Sequence, residues 1–242
     1  MDRSPVGRLP PELRNHIYEL CLTQPATICI SLYQPLNGPY LRCEIQRDGA
    51  DSVQASARNA FALPQACKQI HDECGRLAFH FNTFEVGLRQ PRIDFVPSKT
   101  TVAYEDAVAR LKEEVLQPLC LFIDAVGENN AAALQHLKVD FGLLSLDDLE
   151  DTILPAVVGG VFRDLGKMAA SNRRWDLHAR VGFQTYRVLR YTINIGQAAT
   201  SLGAIANDLV RKAETQPLSF DAGQWRVCAG YLAEWEQTAA GT

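Results

Sequence analysis

The sequence predicts an α+β fold, with a small, mostly antiparallel sheet, covering helices and a helical C-terminal half. Two β-rich runs, Thr27–Tyr33 and Tyr40–Gln46, flank the turn-forming pentapeptide PLNGP at 35–39, which indicates a hairpin with a longer loop. Residues 136–141 alternate between apolar and polar side chains, as a half-buried strand does. In other segments apolar residues recur every three or four positions, which is the period of an amphipathic helix.

The N-terminal elements follow in order. A short amphipathic helix is predicted at 9–22, since proline stands at its start, apolar residues recur at 13, 17, 20 and 21, and Pro25 ends it. After the hairpin, residues 47–60 are small, polar and without period, which indicates a solvated loop. A second helix is predicted at 64–79, and a strand at 83–88.

The remaining elements are predicted to be mainly helical. A third helical stripe runs through 105–126, with a possible kink at Pro118 and an end at Gly127. After the strand at 136–141, Ser145, Asp147 and Asp148 offer caps for another helix. Periodic apolar positions predict a long helix at 183–213 and a last helix that runs through Trp235.

Composition limits the class of protein. The chain has 242 residues, of which 47% are hydrophobic and 21% charged, so it can bury a sizeable core as one domain, 1–242. Its apolar runs are too short to span a membrane, and its start carries no secretory signal, so we expect an intracellular protein of the cytoplasm or nucleus. Seven cysteines without a tight framework indicate reduced thiols, and a net charge of −4 argues against a surface devoted to nucleic acid or membrane.

Three separated motifs carry a resemblance. They are LPPELRNHIYEL at 9–20, LPQACKQIHDE at 63–73 followed by FNTF at 81–84, and LQHLKVDF at 134–141. Together, and in this order, they resemble the fungal F-box-like proteins, in which an LPPELRN-IYEL helix precedes a C-x-Q-I-x-x-E helix, an NTF strand and an LxVDF strand. The likeness covers 7–142, including a hairpin insertion at 23–60, and leaves 143–242 as a helical C-terminal portion.

The resemblance implies a non-catalytic protein-interaction module. Such a protein works as a substrate adaptor of an SCF-type ubiquitin ligase, with its first helix docked on a Skp1-type linker protein. This docking requires an exposed apolar surface, and the residues that would form it here are Leu9, Pro10, Leu13, Ile17 and Leu20. The alternative is that the same residues pack against the 63–79 helix inside one core.

Cysteine and histidine near residue 70 offer two chemical hypotheses. On one continuous helix, Cys67, His71 and Cys74 share a face, which suits either a zinc site or a thiolate with a histidine base. The spacing matches no usual ligand pair, and buried thiols explain it better. The acidic cluster at 147–151 is better explained by a helix N-terminus than by a cation site. No nucleotide-binding, dinucleotide-binding, hydrolase or metalloprotease motif occurs, so no catalytic residue, metal or cofactor is predicted.

An arginine-rich segment gives the second candidate site. If the segment is helical, residues 173, 180 and 187 line one face, and neighbouring aromatic rings allow contact with nucleic acid, with an acidic peptide or with a small molecule. A solvated helix face explains the arginines without any ligand. The residues of this possible patch are Arg173, Arg174, Arg180, Arg187, Arg190, Tyr186 and Tyr191. Protein interaction is the favoured function; nucleic-acid binding and an enzyme pocket formed by residues such as His71 and Arg187 are the alternatives.

Overall fold

The computed structural model describes residues 6–33, 40–46, 55–56, 61–88, 102–145, 154–172, 175–184, 188–195, 203–205, 207 and 211. The chain divides into two compact units. One comprises Met1–Val86 and Leu121–Leu137, and the other comprises Gly87–Cys120 and Lys138–Thr242. The single domain expected for residues 1–242 stays a prediction.

Helices and strands are interspersed along the chain. In chain order they are a 3-10 turn at Val6–Arg8, α1 (Pro11–Leu22), β1 (Thr27–Tyr33), β2 (Tyr40–Gln46), β3 (Ala55–Ser56), a 3-10 turn at Leu63–Gln65, α2 (Lys68–Cys74), α3 (Leu77–Phe81), β4 (Thr83–Gly87), α4 (Val102–Val126), α5 (Glu128–Ala131), β5 (His136–Ser145), α6 (Leu154–Ser171), β6 (Asp176–Gln184) and β7 (Val188–Asn194). The predicted α+β class is confirmed.

In the first unit the strands follow the order β3-β2-β1-β4. β1 and β2 form the predicted antiparallel hairpin, from Thr27 opposite Gln46 to Tyr33 opposite Tyr40. β4 lies parallel to β1, with Ile28 opposite Phe84. A parallel neighbour needs a crossover connection, and the segment that contains α2 and α3 supplies it. The sheet is therefore mixed, where the sequence predicted a mostly antiparallel one.

The core of the first unit lies on one face of this sheet. Strand residues alternate between faces, and Ile28, Ile30 and Ile45 are buried together with Phe84 of β4. The Phe84 ring lies 5.6 Å from the ring of Phe122, which belongs to the last turns of α4. These last turns of α4 thus cover this part of the sheet and exclude water from it.

The second unit has its own core, between α6 and the strands β5, β6 and β7. Alternate residues of β6, namely Leu177, Ala179 and Val181, are buried. The rings of Phe141 in β5 and Phe162 in α6 stack with centroids 5.0 Å apart. The apolar face of α6 consists of Val157, Val158, Val161, Phe162 and Leu165.

The predicted helix at 64–79 is wrong as one continuous element. Cys67 has an extended backbone, with φ −161° and ψ 164°, so α2 begins only after it. Gly75 then separates α2 from α3, and a Cβ at this position would lie 2.6 Å from the carbonyl oxygen of His71. The turn between the two helices is therefore tight enough to need glycine.

The predicted helical C-terminal half is also wrong over 176–194. This segment forms the β6–β7 hairpin, from His178 opposite Asn194 to Gln184 opposite Val188. From Asp176 to Val181 burial alternates residue by residue, which is the strand period and not the helical one. The predicted cap residues Asp147 and Asp148, and the predicted last helix, lie outside the described residues.

Candidate partner-binding surface

The N-terminal helix α1 is anchored by one face. Tyr18 and Leu22 are buried in a small core with Cys74 and Ala78 of the α2–α3 corner. This core is completed by the partly buried side chains of Val6, Phe61, Leu63, Ile70, Leu77 and Phe81. Burial of these side chains stabilises the position of α1 in the first unit.

Glu73 fixes the rotation of α1 about its own axis. Its Oε2 accepts a hydrogen bond of 2.8 Å from the Tyr18 hydroxyl and lies 3.2 Å from Nε of Arg14. Its Oε1 accepts a hydrogen bond from Nε2 of Gln69 at 2.9 Å. Arg14 also donates to the carbonyl of Gly7. Because charge-assisted bonds have strict geometry, α1 is held in one orientation on the α2–α3 corner.

Asn82 ties the end of α1 to the end of α3. This side chain is only 1% exposed. Its Nδ2 donates to the carbonyls of Leu22 and Ala78 at 2.9 and 2.7 Å, and its Oδ1 accepts from the backbone N–H of Gln24 at 2.7 Å. One buried amide therefore satisfies two carbonyls that helix ends leave without a partner, together with the N–H of Gln24.

Exposed apolar side chains lie on the opposite face of α1, beside the exposed His16. With 100° between successive residues, Leu13, Ile17 and Leu20 lie on the side of the helix away from Tyr18 and Leu22. Leu13 is 52% exposed and Leu20 is 69% exposed. Of the five predicted partner-binding residues, Leu9 and Pro10 directly precede α1; Pro10 is exposed, and Leu9 and Ile17 are half-buried. We call this set, Leu9, Pro10, Leu13, Ile17 and Leu20, the α1 surface.

The pKa of Tyr18 gives the anchor a pH dependence. Burial raises this pKa to about 12 from 10, and the hydrogen bond to Glu73 acts in the same direction. A raised folded-state pKa stabilises the fold below pH 10, and this contribution is lost as the pH rises from 10 through 12.

We predict that Tyr18→Phe lowers the free energy of unfolding by about 1.5 kcal/mol at pH 8, because the hydrogen bond to a carboxylate is lost. The difference between the two proteins should shrink as the pH rises from 10 to 12. Urea unfolding at pH 8 and at pH 11.5 measures both effects. An equal difference at the two pH values would contradict the role assigned to the Tyr18 hydroxyl.

The candidate set of Cys67, His71 and Cys74 does not form a site. Cys67 and His71 are exposed, whereas Cys74 is fully buried. The backbone break at Cys67 removes the shared helix face on which the zinc and thiolate hypotheses depended. Among the described residues, no group of three or more histidine, cysteine or acidic side chains is placed to hold a metal ion.

We predict that alkylation by iodoacetamide distinguishes these thiols. The thiolate is the reactive form, and burial raises the pKa of Cys74 to about 11. In the folded protein at pH 8, Cys74 should react at least about 100-fold more slowly than the exposed Cys21 and Cys67. Mass spectrometry of the labelled peptides gives the rates, and labelling in urea is the control. Equal rates in the folded protein would show that Cys74 is not buried.

The predicted arginine patch is not a helical stripe. Arg180 lies in β6 and Arg190 and Tyr191 lie in β7, with the Cα atom of Arg190 opposite that of Gly182. Arg173, Arg174, Tyr186 and Arg187 lie outside the described residues. The seven-residue spacing of 173, 180 and 187 therefore cannot align their side chains on a helix.

The charge of Arg180 is compensated within the second unit. Its Nη2 lies 2.7 Å from Oδ2 of Asp140 in β5. On the same strand, Nε2 of His178 lies 2.8 Å from Oδ1 of Asp176. Among the described side chains of this face, Arg180 and His178 therefore each lie beside a carboxylate.

Sequence reasoning missed three features of the first unit. Glu73 and Asn82 occur in the quoted motifs, but the sequence does not predict that they anchor α1. The sequence predicts Tyr33 and Tyr40 only as strand residues, yet each is 51% exposed and their ring centroids lie 5.3 Å apart. Tyr33 ends the first predicted strand of the hairpin and Tyr40 begins the second, so the two residues can be expected to lie opposite each other.

The fold and this surface define an α+β protein that presents an apolar helical face. No protein-family model, no curated protein and no solved structure matches the chain. None of the described helices is both long and apolar enough to cross a membrane.

Proposed function

We propose that this chain is a non-catalytic protein-interaction module and that it acts as a substrate adaptor of an SCF-type ubiquitin ligase. The α1 surface docks on a Skp1-type linker protein, and another part of the chain holds the client. The resemblance of the 9–20, 63–73, 81–84 and 134–141 motifs to the fungal F-box-like proteins supports the choice of linker. The exposure of Leu13 and Leu20 carries the proposal.

The two faces of α1 differ in a way that favours docking on a partner. A short surface helix normally buries its apolar residues against its own domain. α1 instead buries Tyr18 and Leu22 and leaves Leu13 and Leu20 exposed on the other side. A helix of this kind is typical of helix-to-groove recognition, in which apolar side chains at spacings of three and four residues enter a partner. The bonds to Glu73 and Asn82 hold α1 ready for docking, which lowers the ordering cost of binding.

Co-elution in size-exclusion chromatography tests this function. The wild-type chain should elute as a complex with a fungal Skp1-type linker, and the double variant Leu13→Asp, Leu20→Asp should elute alone. Each charge would be buried in an apolar interface, so we expect affinity to fall by at least about 100-fold. Asn15→Asp is the matched control, since Asn15 is an exposed residue of α1 outside the α1 surface, and it should co-elute like the wild type.

Circular dichroism must show that all three proteins are folded. Both substitutions of the double variant are at exposed positions, so its folding should be retained. If the folded wild-type chain and the linker elute separately at micromolar concentrations, the adaptor function is wrong. If the double variant still co-elutes, the docking surface has been assigned to the wrong residues.

A further inference from the structure

The outer edge of β2 is covered over only part of its length by the residues that the structure describes. β1 pairs with all seven residues of β2. On the other side, β3 pairs only at Glu44 and Ile45. Within the described chain, residues 40–43 therefore present backbone N–H and C=O groups at the sheet edge. Such an edge is the template on which an extended segment of another protein adds as a strand.

The side chains at this edge are suited to contact. Tyr40 and Tyr33 form a cross-strand aromatic pair, and both rings are half-exposed. Arg42 follows on the same face, because its position differs by two from that of Tyr40. Arg42 pairs with Glu44, but its side chain is 55% exposed and that of Glu44 only 22%, so an incoming chain meets mainly the cation.

A second copy of this chain does not fit the edge well. In a dimer formed by two antiparallel β2 strands, directly opposed residues share a face of the sheet. The two-fold axis must therefore pass between one residue of β2 and the same residue of the second copy. An axis at Arg42 places two arginines opposite each other, which is destabilising. An axis at Cys43 places Arg42 of one copy opposite Glu44 of the other, but Glu44 is already paired with β3. An axis at Leu41 leaves only three residues of each strand in contact.

We propose that residues 40–43 of β2 bind an extended segment of a partner protein, with an acidic side chain opposite Arg42 and apolar side chains opposite Leu41 and Cys43. An acidic residue is favoured at this position because its carboxylate would lie beside the exposed guanidinium of Arg42. The tyrosine pair adds an aromatic surface for the side chains beside that acidic residue. The hairpin in the 23–60 insertion is then a binding element. This surface is separate from the α1 surface, and its role does not depend on linker docking.

Two synthetic peptides test the proposal by fluorescence anisotropy. One is a labelled ten-residue peptide of alternating valine and glutamate, and the other has lysine in place of glutamate. Wild type should bind the glutamate peptide at least about tenfold more tightly, although the net charge of −4 favours the lysine peptide. Arg42→Glu should reverse this preference. Arg110→Glu, at an exposed arginine of α4, is the matched control and should keep it.

A third peptide tests the backbone pairing. Methylation of alternate backbone nitrogens in the glutamate peptide removes its ladder donors, so its binding should be lost. Equal binding of the methylated peptide, or no saturable binding at millimolar concentration, overturns the proposal. So does a dimer of the free chain that Tyr40→Ser abolishes, since the edge would then bind a second copy. Arg42→Glu should leave linker co-elution unchanged, so this proposal and the adaptor function can fail separately.

Discussion

Asn82→Asp is expected to destabilise the protein by about 3–5 kcal/mol at pH 7, although it changes one amide group to a carboxylate of nearly the same shape. Asn82 is buried, and its Nδ2 donates to the carbonyls of Leu22 and Ala78. A carboxylate cannot donate and would face two carbonyl oxygens. Burial would raise the pKa of this new carboxyl group above its usual range, so the loss should be smaller at pH 4, where the protonated acid can donate once.

Urea unfolding of the variant and the wild type at pH 7 and pH 4 measures this loss. Asn15→Asp makes the same chemical change at an exposed position of α1 and should shift the free energy of unfolding by less than about 0.5 kcal/mol. If Asn82→Asp has an equally small effect, the amide does not connect α1 with α3 in the way described.

The two faces of α1 are expected to respond very differently to truncation. Tyr18→Ala removes a fully buried ring and the hydrogen bond to Glu73, so it should destabilise the protein by about 3–5 kcal/mol. Leu20→Ala removes a side chain that is mostly in solvent, and it should change stability by less than about 0.5 kcal/mol. At 25 °C, Leu20→Ala should weaken linker binding, whereas the folded fraction of Tyr18→Ala should bind the linker like the wild type.

Equilibrium unfolding in urea at pH 7 gives both values. A loss above about 2 kcal/mol for Leu20→Ala would mean that the α1 surface packs inside the chain, which is the alternative that the sequence left open. The proposed docking surface would then be wrong. A loss below about 1 kcal/mol for Tyr18→Ala would mean that α1 is not anchored by this face.

The sequence predicted elements best where local signals agree. The hairpin at 27–46 was predicted because two β-rich runs enclose a turn sequence, and β1 and β2 match it residue for residue. The helix through 105–126 was predicted from a sustained apolar period, and α4 follows it with Pro118 inside. These signals come from residues that are close together in the chain, so one sequence is enough to show them.

The failures share a cause. Helical spacing also fits the apolar positions 177 and 181 in β6, 188 in β7 and 195 just after β7, so the period alone favoured the wrong element. Only the alternation of Leu177, Ala179 and Val181 with polar residues separates the two. The parallel pairing of β4 with β1 is a long-range contact, and no local pattern predicts which strand becomes a neighbour.

The candidate site was predicted in part. The sequence selected Leu13, Ile17 and Leu20 as an apolar stripe, but it could not decide which side of α1 the rest of the chain covers. That choice is made by Tyr18, Leu22 and the bonds to Glu73. The bond from Tyr18 to Glu73 joins residues 55 positions apart. The edge of β2 was not foreseen at all, because its exposure depends on how far β3 extends along it.

Hydroxyl-radical footprinting of the wild-type chain, alone and with a Skp1-type linker, tests whether the exposed face of α1 is the docking surface. We expect oxidation of Leu13, Ile17 and Leu20 to fall severalfold in the complex, while Tyr33 and Tyr40, which lie on the hairpin, keep their reactivity. Unchanged oxidation of Leu13 and Leu20 at saturating linker would contradict it, because the exposed face of α1 would then not be the surface that binds.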